Sequence, residues 1–335
     1  MEQIKQYLIN TYSLFPLKNK SGKTFYEFIE REFKVYLDYL AQIPSNEFEQ
    51  ILYTESHNYG YFKSTYTKKR FINCMNKICK DFLSILQYCY KGDFFSAHKL
   101  LDSLLNTQRY GNYLGDEYIN FLRLKLPKPD FYRMRDELKH DENGTEITID
   151  NCWHIPFNLR NKAYIGRYSM DGYPCLYLAD TPETCDAELG NLKDNKNRWV
   201  SMFDVQDLFL YDLRIPTNKD INDAVEFDIF QMLVCYPLIL LCSCKKQNEG
   251  FNEEYYIPQL LFHHVIVNGN RGIRMGGIAY SSTQYKGGYN LAIPAIYDGM
   301  IPPSEGYSKI LAKEIHPSKP EIYKSHVLKK NKSIR

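Results

Sequence analysis

The chain has no surplus of charge of either sign: 42 Lys and Arg against 40 Asp and Glu leave a formal net charge of +2. That balance gives no electrostatic reason to expect a nucleic-acid partner. A long apolar stretch is missing too. The most apolar run, IFQMLVCYPLILLC (229–242), is too short to span a bilayer and carries Gln231 and Pro237. It reads as a buried helix, and no membrane association is expected. The opening residues, MEQIKQYLINTYSLFPLKNK, contain no apolar core of a secretory signal. Paired CxxC units are absent, and the nine cysteines are scattered singly. They read as reduced thiols of a cytoplasmic protein. Tryptophan is scarce, 2 residues beside 29 Tyr and 19 Phe; tyrosine serves cores and ligand-facing walls alike. What is present, 44% hydrophobic and 24% charged residues over 335 positions, suffices for one large core or two ordinary ones.

The chain changes character near residue 126. Before it, apolar residues recur at spacings of three and four. TFYEFIEREFKVYLDYLAQI sets Phe25, Phe28, Ile29, Phe33, Tyr36, Leu37 and Leu40 on one helical face. KKRFINCMNKICKDFLSILQYCYKG repeats the pattern and stops at Gly92. DFFSAHKLLDSLL follows, with Asp93 as its N-cap. Residues 1–125 thus read as a helical domain, regulatory or structural. The two prolines of LKLPKPDFYR mark a break. Beyond it, short strands and helices mix. PCLYLA (174–179) is a strand, and TPETCDAELG is a helix with Thr181 as N-cap, Pro182 at its first position and Gly190 at its end. GGIAYSSTQYKGGYNLAIP reads as two strands joined at Gly287–Gly288. The fold class is α+β. The last residues, KSHVLKKNKSIR, form a basic tail.

Several signals carry little. Cys235, Cys242 and Cys244, with His263 and His264, match no ordinary zinc spacing, and no metal is expected. GNRGIRMGG (269–277) lacks the lysine–serine ending of a phosphate loop. Cys185 and His154 have nothing in sequence that ties them as a nucleophile pair. Asn143-Gly-Thr is a formal glycosylation acceptor without a secretory context.

A different set remains. FYRMR places Arg133 and Arg135 on one side of a strand. GRYSMDGYPCLYLADTPETCDAEL (166–189) begins with Arg167, runs through Tyr177 and ends with Glu188. AYSSTQ holds Ser281 and Ser282 directly after an apolar strand. Together these blocks resemble the RES domain, a family named for its arginine, glutamate and serine, over about residues 126–300. That family includes the toxins of RES–Xre toxin–antitoxin systems. The resemblance implies an ADP-ribosyltransferase-like fold in residues 126–335, following the helical residues 1–125. It also implies cleavage of the nicotinamide–ribose bond of NAD⁺ by phosphorolysis or hydrolysis. Matched by position, the catalytic set is Arg133, Glu188 and Ser282. Arg133, Arg167, Tyr177 and Ser281 would bind the dinucleotide. Arg135 rivals Arg133, and Ser281 rivals Ser282. The toxins commonly show GGRWN where this chain has IGRYS.

The residue types suit that chemistry. A planar guanidinium can grip the pyrophosphate of NAD⁺ through two hydrogen bonds. Nicotinamide leaves as a neutral ring, and the positive charge that builds on the ribose calls for a positioned carboxylate, here Glu188. Partners implied are NAD⁺ and either an Xre-type protein inhibitor or a protein acceptor. The alternatives are a protein ADP-ribosyltransferase with a specific acceptor and a non-enzymatic nucleotide-binding module. A nuclease-like toxin fits poorly with near-neutral charge and no acidic metal cluster.

Overall fold

The computed structural model describes residues 1–19, 24–58, 67–105, 123–125, 130–136, 148–163, 165–190, 198–206, 208–246, 252–269, 275–296, 306–308 and 311–323. The acceptor sequence at 143–145, most of the glycine-rich 269–277 and the basic tail from 324 onward lie outside them. Five helices come first: α1 (Glu2–Tyr12), α2 (Phe25–Gln42), α3 (Ser45–Asn58), α4 (Lys68–Tyr90) and α5 (Phe94–Leu105). Strands β1 (Arg123–Lys125), β2 (Asp130–Asp136) and β3 (Cys175–Ala179), helix α6 (Pro182–Leu189), and strands β4 (Arg198–Val205) and β5 (Phe209–Leu213) follow. Helices α7 (Asn218–Asp223), α8 (Glu226–Cys242) and α9 (Tyr256–Gly269) precede β6 (Met275–Ser281) and β7 (Tyr289–Pro294). Helix α10 (Leu311–Glu314) and strands β8 (Ile315–Pro317) and β9 (Glu321–Ile322) complete an α+β chain.

These elements form two compact units. The first comprises Met1–Leu124, Gly166–Tyr168 and Leu210–Ser281; the second comprises Lys125–Ile165, Ser169–Phe209 and Ser282–Arg335.

The first unit is mainly helical. Helix α2 starts at Thr24, whose Oγ1 accepts from the Glu27 N–H at 3.2 Å while the Glu27 carboxylate accepts from the Thr24 N–H at 3.0 Å. Two orphan amides are satisfied at once by this capping box. Its inner face buries Phe25, Phe28, Ile29, Phe33, Tyr36 and Leu40, and α4 buries Phe71, Met75, Ile78, Phe82, Ile85 and Leu86. The apolar run 229–242 is indeed a buried helix, α8. No described helix is long and apolar enough to cross a membrane. Pro237 sits inside α8, and having no N–H it cannot bond the carbonyl of Leu233 four residues back. The Tyr36 hydroxyl of α2 fills that vacancy, donating to Leu233 O at 2.7 Å, and its ring stacks on Tyr236 with centroids 4.7 Å apart. Left without a donor, such a buried carbonyl costs roughly 1–3 kcal/mol. Tyr12 of α1 donates to the neighbouring Met232 O at 3.1 Å. The N-terminal helices and α8 therefore share one core.

The second unit is built on an antiparallel sheet of order β7–β3–β2–β4–β8, with β9 also on β4. Ala179 faces Tyr132 of β2 on one side and Asn290 of β7 on the other. Helix α6 covers this face: its Cys185 packs with Met134 and Ala179, and Tyr132, Val200 and Tyr323 border the cluster. All nine cysteines are free thiols.

Candidate active site

The central piece of the second unit is the short helix α6. Its start is fixed by chemistry that TPE encodes. Thr181 Oγ1 accepts from the Thr184 N–H at 3.1 Å, and Pro182 occupies the first turn. Thr184 Oγ1 in turn donates to Asp180 Oδ1 at 2.8 Å, and the Tyr289 N–H donates to the same oxygen at 3.2 Å. The first turn of α6 is thereby tied to the start of β7. Gly288 permits the approach, since a Cβ there would overlap Thr184 Oγ1.

At the other end α6 stops at Gly190, whose φ of 74° lies in the left-handed region that favours glycine. The last carbonyls find a donor in Arg198 of β4, which is almost wholly buried. Its Nη1 donates to Asp186 O at 3.0 Å and to the Asp186 carboxylate; its Nη2 donates to Gly190 O at 2.5 Å. Its Nε donates to Asp136 Oδ1 of β2 at 2.9 Å. One guanidinium thus ties the end of α6 to two strands.

Glu188 rides on that clamped end, exposed to solvent. Its Oε1 accepts from Ser282 Oγ at 2.6 Å and from Asn290 Nδ2 at 2.8 Å. Oε2 has no hydrogen-bond partner among the described residues. The Ser282 hydroxyl cannot turn away, because the amides of Gln284 and Tyr285 donate to its oxygen at 3.1 and 2.9 Å. With both lone pairs occupied, its single proton goes to Glu188. The structure thus brings together the glutamate and one of the two candidate serines. Ser281 does something else: its Oγ accepts from the Ile215 N–H at 2.8 Å in the first unit.

The arginines divide in the same way. Arg133, on β2, has an Nη1 atom buried from solvent with no hydrogen-bond partner among the described residues, and the same holds for Nε of Arg135. Burial, reinforced by the like charge of Arg135, pulls the Arg133 guanidinium down to about 9, still charged at neutral pH. Arg133 makes no ion pair with Glu188. A buried cation without an acceptor is costly unless a ligand supplies one. Arg167, in the first unit, has no such vacancy. Its Nη1 and Nη2 donate to the carbonyls of Cys242 and Cys244 at 2.7 Å each, just past the end of α8, and it lies over the Tyr255 ring at 5.3 Å. Tyr177 stands half-buried on β3, opposite Ala292 of β7.

The other candidate chemistry is inert. His154 is buried, its Nδ1 donating to Ile155 O at 2.8 Å and its Nε2 accepting from the Ser308 N–H at 3.0 Å. Burial pushes its pKa down to about 4, leaving a neutral structural ring. Burial pushes the Cys185 thiol up to about 12, and its Sγ donates to Tyr132 O at 3.2 Å. His264, fully buried in the first unit, is held between Asp102 Oδ1 at 3.1 Å and the Tyr211 hydroxyl at 3.0 Å.

Two residues of this site escape a reading of the sequence. Asn290 is signalled only as one amide in an otherwise apolar strand, YNLAIP. Arg198 stands just outside the apolar alternation that follows it, and nothing in its neighbours marks it as buried.

No family model matches the chain. A Bacillus subtilis (strain 168) protein described as "Putative toxin YopC" is 25% identical over 318 residues, which covers 88% of this chain and 65% of that protein. The chain therefore spans a little under two thirds of that relative's length. A chain of the M. tuberculosis MbcT-MbcA toxin-antitoxin complex overlaps 62% of this chain and 89% of its own length, at 13% identity and a TM-score of 0.32. That likeness is too slight to establish a shared fold.

Proposed function

We propose that this protein is a toxin-like enzyme that consumes NAD⁺ by cleaving its nicotinamide–ribose bond. The observation that carries the reading is the 2.6 Å hydrogen bond from Ser282 to Glu188, which joins two residues 94 positions apart. These are the glutamate and serine that the RES resemblance pairs. The 25% identity to a protein described as a putative toxin favours the toxin half of the proposal.

In this reading Arg133, seconded by Arg135, grips the pyrophosphate: the oxygens of the dinucleotide supply the acceptors that Nη1 and Nε lack. The C–N bond to nicotinamide breaks with its electron pair going to the ring nitrogen, so no proton is needed there. Positive charge develops at the ribose carbon and is stabilised by the Glu188 carboxylate, whose open Oε2 faces no competing donor among the described residues. Water or phosphate then adds to that carbon, and the proton of the nucleophile is released to solvent. Tyr177 supplies a wall for the reacting end. Arg167 is left out of the grip, because its Nη1 and Nη2 each already donate to a backbone carbonyl of the first unit. An enzyme that drains a central cofactor requires restraint, so a protein inhibitor of the antitoxin kind is the expected partner, and the cytoplasm the expected place of action.

The test is incubation of the purified protein with NAD⁺, with and without phosphate, followed by identification of products. Free nicotinamide with ADP-ribose, or with its 1-phosphate when phosphate is present, is the expected result. Labelled protein in place of free product assigns the transferase alternative. Intact NAD⁺ with a measurable dissociation constant assigns a binding module and ends the enzymatic reading.

A further inference from the structure

We propose that Asn290 is a positioning residue for Glu188, and that with Ser282 it selects Oε2 as the oxygen that acts. The inference rests on the functional reading above but uses observations of its own. A glutamate at the exposed end of a helix ordinarily samples several rotamers, and its terminal torsion is a broad two-fold rotor. One donor on Oε1 would let the carboxylate pivot about that contact. Two donors from different backbone segments, the turn before β7 and β7 itself, fix its plane. Asn290 is almost wholly buried, and its amide has one sense only: Nδ2 toward the carboxylate, since Oδ1 there would oppose like charge. The strand register makes the contact possible. Asn290 pairs with Ala179, the last residue of β3, so the small side chain beside it leaves room for the end of α6 on the same face. Arg198 holds the backbone of that helix end, and Asn290 holds the oxygen.

Asn290→Ala and Asn290→Asp separate this role from a purely structural one. For NAD⁺ cleavage, Asn290→Ala is expected to lower kcat about tenfold to a hundredfold, as small misplacements of a catalytic group do, with KM within about threefold. Asn290→Asp should lower kcat at least as far, because it sets a second carboxylate against Glu188. Unchanged kcat in both variants, or a loss confined to KM, overturns the assignment. A second measurement does not depend on activity. The thermal unfolding midpoint is compared for Asn290→Ala, Glu188→Ala and the double variant. If Asn290 acts by holding Glu188, the two single losses do not add, and Asn290→Ala costs distinctly less once Glu188 is gone. Strict additivity overturns the positioning role. Should the wild-type protein leave NAD⁺ intact, the functional reading fails, and this cycle alone decides whether Asn290 braces Glu188.

Discussion

Arg167 and Arg133 are both singled out by the resemblance to the RES domain, yet they make opposite kinds of contact in the two units. Arg167 donates both of its terminal nitrogens to backbone carbonyls past the end of α8, whereas Arg133 keeps a buried nitrogen that meets no acceptor among the described residues. The adjacent serines divide likewise. Ser281 accepts from a backbone amide of the first unit, and Ser282 donates a hydrogen bond to Glu188 in the second. In the first unit polar groups close gaps in the fold, as Tyr36 does beneath Pro237. In the second, Nη1 of Arg133 and Oε2 of Glu188 have no hydrogen-bond partner among the described residues. A polar side chain's residue type does not decide its role; whether its partners are already filled does.

The largest effect tests whether the first unit depends on its N-terminal helices. A protein beginning near Pro127 loses α1 to α5, among which α1, α2, α3 and α4 pack on α8 and α2 supplies the Tyr36 hydroxyl to Leu233 O. It is expected to aggregate on expression, because α8 is buried along most of its length. Size-exclusion chromatography gives the answer, and a soluble, monomeric truncation would show that 1–125 is separable after all.

Next come the arginines. Arg133→Lys should weaken NAD⁺ binding at least tenfold by calorimetry, because an ammonium cannot reproduce a two-pronged grip. Arg167→Lys should lower the unfolding midpoint by a few degrees and leave binding within about twofold. If the effects are exchanged, the comparison is reversed and Arg167 is the clamp.

The serines give a smaller contrast. Ser282→Ala should reduce turnover about tenfold, since it frees Glu188 to pivot on Asn290 alone. Ser281→Ala should cost stability but not turnover. Equal turnover losses in the two would show that the adjacent hydroxyls are interchangeable.

The smallest effect concerns His154, which belongs with the satisfied groups although it lies in the second unit. Its folded pKa is depressed to about 4 from an ordinary value of 6.5. The unfolded chain therefore takes up its proton first. The stability that the neutral ring contributes is complete above pH 6.5 and is lost as pH falls toward 4. His154→Asn, which can still donate and accept, should flatten the dependence of the unfolding midpoint over that window. A slope identical to wild type would place the acid-sensitive group elsewhere.

Much of this was legible in the sequence. Three-and-four periodicity marked α2 and α4, and Thr181, Pro182 and Gly190 bounded α6 where the structure has it. The apolar run at 229–242 read as a buried helix because Pro237 and its length excluded a membrane span. Periodicity reports which face of a helix is buried, not what it is buried against. It could not show that α1 and α2 close over α8, two hundred residues away. The same limit applies to the site. Glu188 could be singled out by its place after LYLA, but Ser281 and Ser282 could not be told apart until each hydroxyl's partner was known. Beyond the lone amide that Asn290 sets in an apolar strand, neither Asn290 nor Arg198 carries a local signal, because their roles are set by strand register and by the orphan carbonyls at the end of α6.

The most direct measurement is nicotinamide release from NAD⁺ by the wild-type protein and by Glu188→Gln, at matched concentration and with circular dichroism confirming equal folding. The substitution keeps the shape of the side chain and removes its charge. Loss of one electrostatic stabiliser typically costs about 10²–10³ in rate, and a fall of that size with an unchanged spectrum is the predicted result. Release within about threefold of wild type would contradict the assignment of Glu188 as the carboxylate that stabilises the positive charge developing on the ribose.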